Sequence, residues 1–211
     1  MTTNSEGDKI RLMYRGERAR ILPVVLILIV IAIAIAALVS AGRAIFGGGD
    51  QPAAPVDTSQ QALLNTSEGH SIRMTVRGGI VADETFRSYQ LSISPTSRTL
   101  TAYKGYLEQP VDSINMSNNF KAYEELVYAL DKANMAKGTA FTGAADDTRG
   151  ICASGQVYEF EILDGASTVK RLWTSTCKGS PGSLKASAKQ LEGLFLKQVP
   201  DQKKILDKID L

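Results

Sequence analysis

The sequence predicts an α+β fold, an antiparallel β-sheet packed by two main helices and carried behind a single N-terminal transmembrane helix. Three observations predict it. Residues 21–42 contain no charged side chain and are mostly Ile, Leu, Val and Ala. From His70 onward, short runs alternate apolar and polar residues with period two, which marks strands with one wet face and hence antiparallel pairing. Two later stretches, 119–136 and 183–198, space apolar residues three and four apart, as a helix with one buried face requires.

The 211 residues leave room for one ordinary domain plus an anchor. The expected division is a basic cytoplasmic tail at 1–20, a transmembrane helix at 21–42, a Gly/Pro linker at 43–56 and an extracytoplasmic domain at 57–211. As a helix, the apolar stretch is about 33 Å long, enough to cross a bilayer core. Pro23 falls in its first turn, where a missing N–H costs little. Charge supplies the direction. Lys9, Arg11, Arg15, Arg18 and Arg20 precede the span against Glu6, Asp8 and Glu17, and after it Arg43 is the only basic residue before His70 and Arg73. Cations collect on the cytoplasmic side of a span, so Arg11, Arg15, Arg18 and Arg20 orient the N-terminus inward and export the domain. Of the 24 Lys and Arg, the first 44 residues hold six, and of the 22 Asp and Glu they hold three, leaving 18 against 19. A domain so close to neutral lacks the cation excess of a nucleic-acid binder.

Other readings of the N-terminus are weaker. Val39-Ser40-Ala41 has the small residues of a signal-peptidase site, but the apolar run is longer than a signal peptide uses. No cysteine follows it to take a lipid; the first is Cys152. The run from Val25 to Ile33 resembles the N-terminus of type IV pilins, as does a late cysteine pair. The chain departs from that pattern where Gly16 is followed by Glu17-Arg18-Ala19-Arg20, and where Gly47-Gly48-Gly49 stops a helix that pilins continue.

Within the domain, the elements read in order. Residues 47–55 join a flexible Gly triplet to a stiffer piece with prolines, a spacer off the bilayer. Asp57 is positioned to cap a short helix over 58–65. Ile72, Met74 and Val76 alternate with Arg73, Thr75 and Arg77 before Gly78-Gly79. Tyr89, Leu91 and Ile93 form a second strand, and after a turn at 94–97 residues 100–107 form a third. Ser117, Asn118 and Asn119 offer N-caps for the helix at 119–136, whose inner face is Phe120, Tyr123, Leu126, Val127 and Leu130. The helix at 183–198 turns Leu184, Leu191, Leu194 and Phe195 inward. Pro200 ends it, and Asp201 opens a short tail with Ile205, Leu206 and Ile209. The seven lysines from Lys178 to Lys208 are interspersed with acids and read as a solvated face.

Cys152 and Cys177 are the only cysteines. Exported, they are expected to form a structural disulfide. Residues 156–163 and 168–176 read as a hairpin around Asp164-Gly165. With those two as the turn, Glu159 faces Lys170, Phe160 faces Val169, and the cysteines lie opposite each other with Cα atoms about 4.5 Å apart; a longer loop from Asp164 to Ser167, or a bulge at Gly155, shifts that register and leaves the bridge itself as the firm expectation. Without CxxC spacing, and with the one histidine far off, the pair does not read as a metal or redox site.

No residue is assigned a catalytic, cofactor-binding or metal role. His70 is the only histidine and no GxSxG is present to supply a nucleophile. Ser167-Thr168-Val169-Lys170 fits S-x-x-K but runs from a turn into a strand. P-loop, GxGxxG, HExxH and EF-hand patterns are absent. Asp146-Asp147 reads as a solvated loop, Glu159 and Glu161 as the wet side of a strand, and Trp173 as core. The expectation is a non-enzymatic, membrane-anchored binding or scaffolding module of the cell envelope. Its partners would be the bilayer through 21–42 and an envelope protein or polymer. The alternatives are a pilin-like or secretion-system subunit, and a hydrolase built on Glu159, Glu161 or Asp146.

Overall fold

The structure, a computed structural model, describes residues 26–36, 58–209 and 211. The chain divides into two units, 1–56 and 57–211. In the first, residues 26–36 are helical with exposed side chains. No helix among the described residues is long and apolar enough to cross a membrane. The remainder of the expected span, the basic tail with Arg11, Arg15, Arg18 and Arg20, the linker and Asp57 lie outside the described residues.

The second unit is α+β. A short helix α1 (Ser59–Leu63) precedes β1 (His70–Arg77), β2 (Arg87–Ile93), β3 (Ser97–Lys104) and β4 (Gln109–Ser117). Helix α2 (Phe120–Lys132) then leads to β5 (Val157–Asp164) and β6 (Ser167–Ser175), followed by α3 (Ala188–Leu196) and α4 (Lys203–Leu206). The six strands form one antiparallel sheet in the order β4-β3-β2-β1-β5-β6. The first four strands make a meander, and α2 carries the chain from the β4 edge back to pair β5 with β1.

The pleat gives the sheet two unlike faces. Leu172, Phe160, Met74, Leu91, Leu100 and Ile114 lie in one row across all six strands. That row faces Tyr123, Leu126, Val127 and Leu130 of α2 and Leu191 and Phe195 of α3, which fill one core with Leu63, Val199, Ile205 and Ile209. The neighbouring row, Arg171, Glu161, Arg73, Ser92, Thr99 and Asn115, faces the other way and is polar.

Several expected elements differ. The third strand ends at Lys104, and 105–108 form a turn with positive φ at Gly105 and Glu108. β4 went unread, because an edge strand with a mostly exposed pattern carries little apolar periodicity. Phe120 belongs to the first turn of α2 and is 54% exposed, not part of its inner face. Asn119 caps that helix by accepting from the Ala122 N–H at 2.9 Å, and Asn134 ends it in a left-handed conformation, ahead of Gly138. The helix expected at 183–198 starts only at Ala188, capped by Ser187. Ser183 and Leu184 instead donate to the Trp173 carbonyl at 2.9 and 3.0 Å, and the Ser183 hydroxyl accepts the Trp173 N–H at 3.1 Å. Those bonds satisfy outward peptide groups of edge strand β6, which outweighs extending a helix by one turn.

The β5–β6 register is the main correction. Asp164 pairs with Ser167, so the turn is Gly165-Ala166, and a bulge at Ile162/Leu163 adds one more step. Glu159 therefore faces Trp173, and Phe160 faces Leu172, three residues from the expected partners. An odd shift exchanges the faces of a strand. Lys170 moves to the helix-covered side opposite Ile162, and Arg171 joins the polar face opposite Glu161.

The disulfide forms, but not as a ladder pair. Cys152 and Cys177 are bonded with Cα atoms 5.5 Å apart. The ladder gives out where the Thr176 N–H donates to the Gln156 carbonyl, and residues 151–155 fold back to reach Cys177. Gly155 is required there, since a Cβ would sit 2.1 Å from Thr176 Oγ1 and 2.9 Å from Cys152 Sγ.

Candidate functional site

The polar face of β1, β5 and β6 carries a lattice of ion pairs. Residues two apart on a strand share a face, so β1 contributes Arg73, Thr75 and Arg77, and β5 contributes Glu159 and Glu161. Glu161 Oε2 accepts from Arg73 Nε at 2.6 Å. Glu159 is the hub. Its Oε1 accepts from Arg77 and from the Thr148 hydroxyl, and its Oε2 accepts from Nε and Nη2 of Arg171 at 3.0 and 2.6 Å. Both glutamates are only 8% exposed, lying beneath the guanidinium groups. The Arg73 guanidinium is pushed above its ordinary range by its bond to Glu161. For Arg171, burial works to lower the value, but Glu159 and Asp146 outweigh it and the net shift is upward. These cations stay charged at any pH the fold survives.

The connection from α2 to β5 forms one wall. A 3₁₀ turn, Gly143–Asp146, brings Asp146 against Arg171, which bonds its carboxylate at 2.7 Å and its carbonyl at 3.0 Å. The next residues place Thr148 in the lattice and Arg149 outside it, held to Asp147 by a two-pronged pair at 2.5 to 2.9 Å. That pair holds the Asp147 carboxyl at about 2. The Ile80 N–H donates to the Ala153 carbonyl, which ties the wall to the loop after β1. Phe141 meets Trp173 edge-on at 5.9 Å.

Two adjoining cavities result, each of about 360 Å³. The first is the polar groove over the lattice, reaching from Asp146 and Thr148 to Gln90 and Glu108. Four arginines and five acids line it, so it is close to electroneutral. The second is an apolar pocket lined by Ile80, Phe86, Tyr106, Ile151 and Val157, with Arg77 and Arg149 at the seam between the two. Tyr106 is fixed in place. Its ring stacks on Phe86 at 4.1 Å, and its hydroxyl both donates to the Val81 carbonyl and accepts the Val81 N–H.

Asp146, Glu159 and Glu161 do line one groove, contrary to a solvated strand face and a free loop, and each is held by arginine. His70 is far less open than a surface residue. A closed ring of bonds runs from Asn65 Nδ2 to His70 Nε2, from His70 Nδ1 to Ser67 Oγ, and from Ser67 Oγ to Asn65 Oδ1. Ser67 thus gives its proton to an amide, and Asp164 lies 3.8 Å from the same nitrogen as Ser67, so no relay is formed. Among the described residues no cluster of His, Cys, Asp and Glu is placed to hold a metal. Trp173 is buried, as expected. Arg73, Arg77, Arg171, Tyr106 and Ile80 were not singled out by sequence. The visible signal was the pair of arginines on the polar side of β1, and its meaning depended on a β1–β5 pairing that spans the whole domain. Comparison with known protein families finds no match, and comparison with curated protein sequences finds none either.

Proposed function

We propose that the chain is a membrane-anchored binding module whose C-terminal domain works outside the membrane and engages a protein or polymer of the cell envelope. The observation that carries the reading is the composite cleft on the uncovered sheet face, a preorganised polar groove joined to an apolar pocket. Recognition sites combine an apolar surface with a few fixed polar groups in this way. The charge-free stretch at 21–42, the basic residues before it and the disulfide are consistent with an exported domain. Glu159 is poorly suited to hydrolysis. Four donors occupy its oxygens, leaving no lone pair to activate a water or receive a proton.

A photo-crosslinking residue in place of Gln90, on the groove rim, tests the reading in intact cells alongside an alkaline phosphatase fusion at residue 211. The expected result is phosphatase activity and one recurrent adduct, lost when the crosslinker is moved to Tyr128 on the outer face of α2. An inactive fusion would refute the topology, and adducts indifferent to position would refute the cleft.

A further inference from the structure

The two edges of the sheet are finished differently. On β6 the Trp173 peptide is taken up by Ser183 and Leu184. On β4 the register from Ser97–Ser117 to Ala102–Asp112 is unbroken, and beyond it the Asn118 N–H donates to the Thr96 carbonyl at 2.8 Å. Peptide groups alternate sides along a strand, so those of Asp112, Ile114 and Met116 turn toward β3 and those of Ser113, Asn115 and Ser117 turn out of the sheet. Two of the outward groups are blocked. The Ser113 N–H donates to Asp112 Oδ1 at 2.8 Å, and the Ser117 carbonyl accepts from Arg98 Nε and Nη2 at 3.1 and 2.7 Å. Among the described residues, nothing bonds the Ser113 carbonyl, either peptide group of Asn115, or the Ser117 N–H. Edges are usually blunted by charges, proline or bulges. Here Pro110, the bulge at Ala102/Tyr103 and Asp112, which holds Lys208, guard only the start of the strand, and 113–117 carry no charge. We propose that β4 pairs antiparallel with β4 of a second copy of this chain, about a two-fold axis at Asn115, joining the two sheets into one.

Three observations favour a second copy over an unrelated strand. The free groups complement themselves. With Asn115 opposite Asn115, each Asn115 N–H meets the other's carbonyl and each Ser117 N–H meets the Ser113 carbonyl across from it. Centring the pair on Ile114 or Met116 instead sets a free Asn115 group against a blocked one. The blocking groups are complementary as well. The Ser113 N–H of one copy faces the Ser117 carbonyl of the other, which brings the Asp112 carboxylate alongside the second copy's Arg98 guanidinium. Among the described residues Arg98 bonds only carbonyl oxygens, those of Ser117 and Gln198, and no carboxylate. Lastly, Ile114 and Met116 are half-buried at the rim of the core, and in this register Ile114 of each copy lies opposite Met116 of the other. The contact is isologous and closes at two copies. The cleft lies on β1, β5 and β6, away from β4, so both clefts stay open on the same side of the joined sheet.

The inference depends neither on what the cleft binds nor on the topology of the chain. The full chain, carrying one added cysteine, is placed in phosphatidylcholine vesicles, oxidised mildly and run on a non-reducing gel. In the proposed register the two Asn115 Cα atoms are about 5.5 Å apart, within disulfide reach, while two Ser113 or two Ser117 residues are about 14 Å apart. Asn115→Cys should therefore give a covalent dimer in roughly tenfold greater yield than Ser113→Cys or Ser117→Cys alone. Mixing Ser113→Cys chains with Ser117→Cys chains should recover the dimer. Adding Asn115→Lys to that mixture sets two ammonium groups face to face at an exposed position, and should abolish the crosslink while leaving the circular dichroism spectrum unchanged. Equal yields at the three positions, as association through residues 21–42 alone would give, overturn the proposal. So does the absence of a dimer at Asn115→Cys, or a crosslink that survives Asn115→Lys.

Discussion

Single residues set the chemistry of the cleft, and two of them make measurable predictions. Glu159 neutralises Arg77 and Arg171 at a position nearly closed to solvent. Removing one partner of a buried pair strands the others, so Glu159→Ala should cost about 3 kcal/mol in urea denaturation. Glu125→Ala, which breaks an exposed pair with Lys121, should cost under about 0.5 kcal/mol. The second concerns pH. Asp147 is held at about 2 by Arg149, below its ordinary 3.8, so whatever it contributes to folding is complete above the ordinary value and is lost as pH falls toward 2. In Arg149→Gln its titration, followed by carboxyl-carbon NMR, should return toward 3.8. No movement would show that another group holds it down.

At the scale of elements, the groove wall is a connection with little secondary structure of its own, and its position depends on a few ties. The disulfide is the covalent one. It encloses a stretch with a sequence separation of 25, for which chain-entropy reasoning gives about 3 kcal/mol of stabilisation. The Cys152→Ser, Cys177→Ser double variant should therefore unfold at lower urea concentration by that amount. Free, labelable thiols in the wild-type protein purified without reductant would contradict the bridge. Sequence reasoning did well where periodicity was local. The alternation in β1 and β2 and the inner face of α2 from Tyr123 to Leu130 follow from spacing alone. It did poorly where a tie elsewhere in the fold decided the outcome. The β5–β6 register depended on a bulge at Ile162 that no dipeptide signals, and the α3 start depended on Ser183 and Leu184 being needed by Trp173.

On the scale of the whole domain, the division of labour between the two sheet faces explains what sequence could not reach. Helices α2 and α3 cover one side, and that side was legible because burial imposes apolar spacing on every strand. The other side is built from charged residues drawn from β1, β5, β6 and two connections, far apart in sequence. Charged residues have no periodicity that distinguishes a lattice from a solvated surface, so Glu159 and Glu161 read as wet until β1 was seen beside β5. The candidate site is therefore a product of topology, made when α2 returns the chain from one edge of the sheet to pair β5 with β1.

That topology also gives the bond between Cys152 and Cys177 a second meaning. The chain between them is a closed covalent ring, and the β5–β6 hairpin, with its tip at Gly165-Ala166, lies wholly within it. A protease that cuts the exposed tip opens the ring without releasing a fragment, so Arg73, Arg77, Glu159 and Arg171 stay on one connected molecule. In that sense the bridge is a form of damage tolerance. It lets an exposed turn be severed while the two halves of the lattice remain joined.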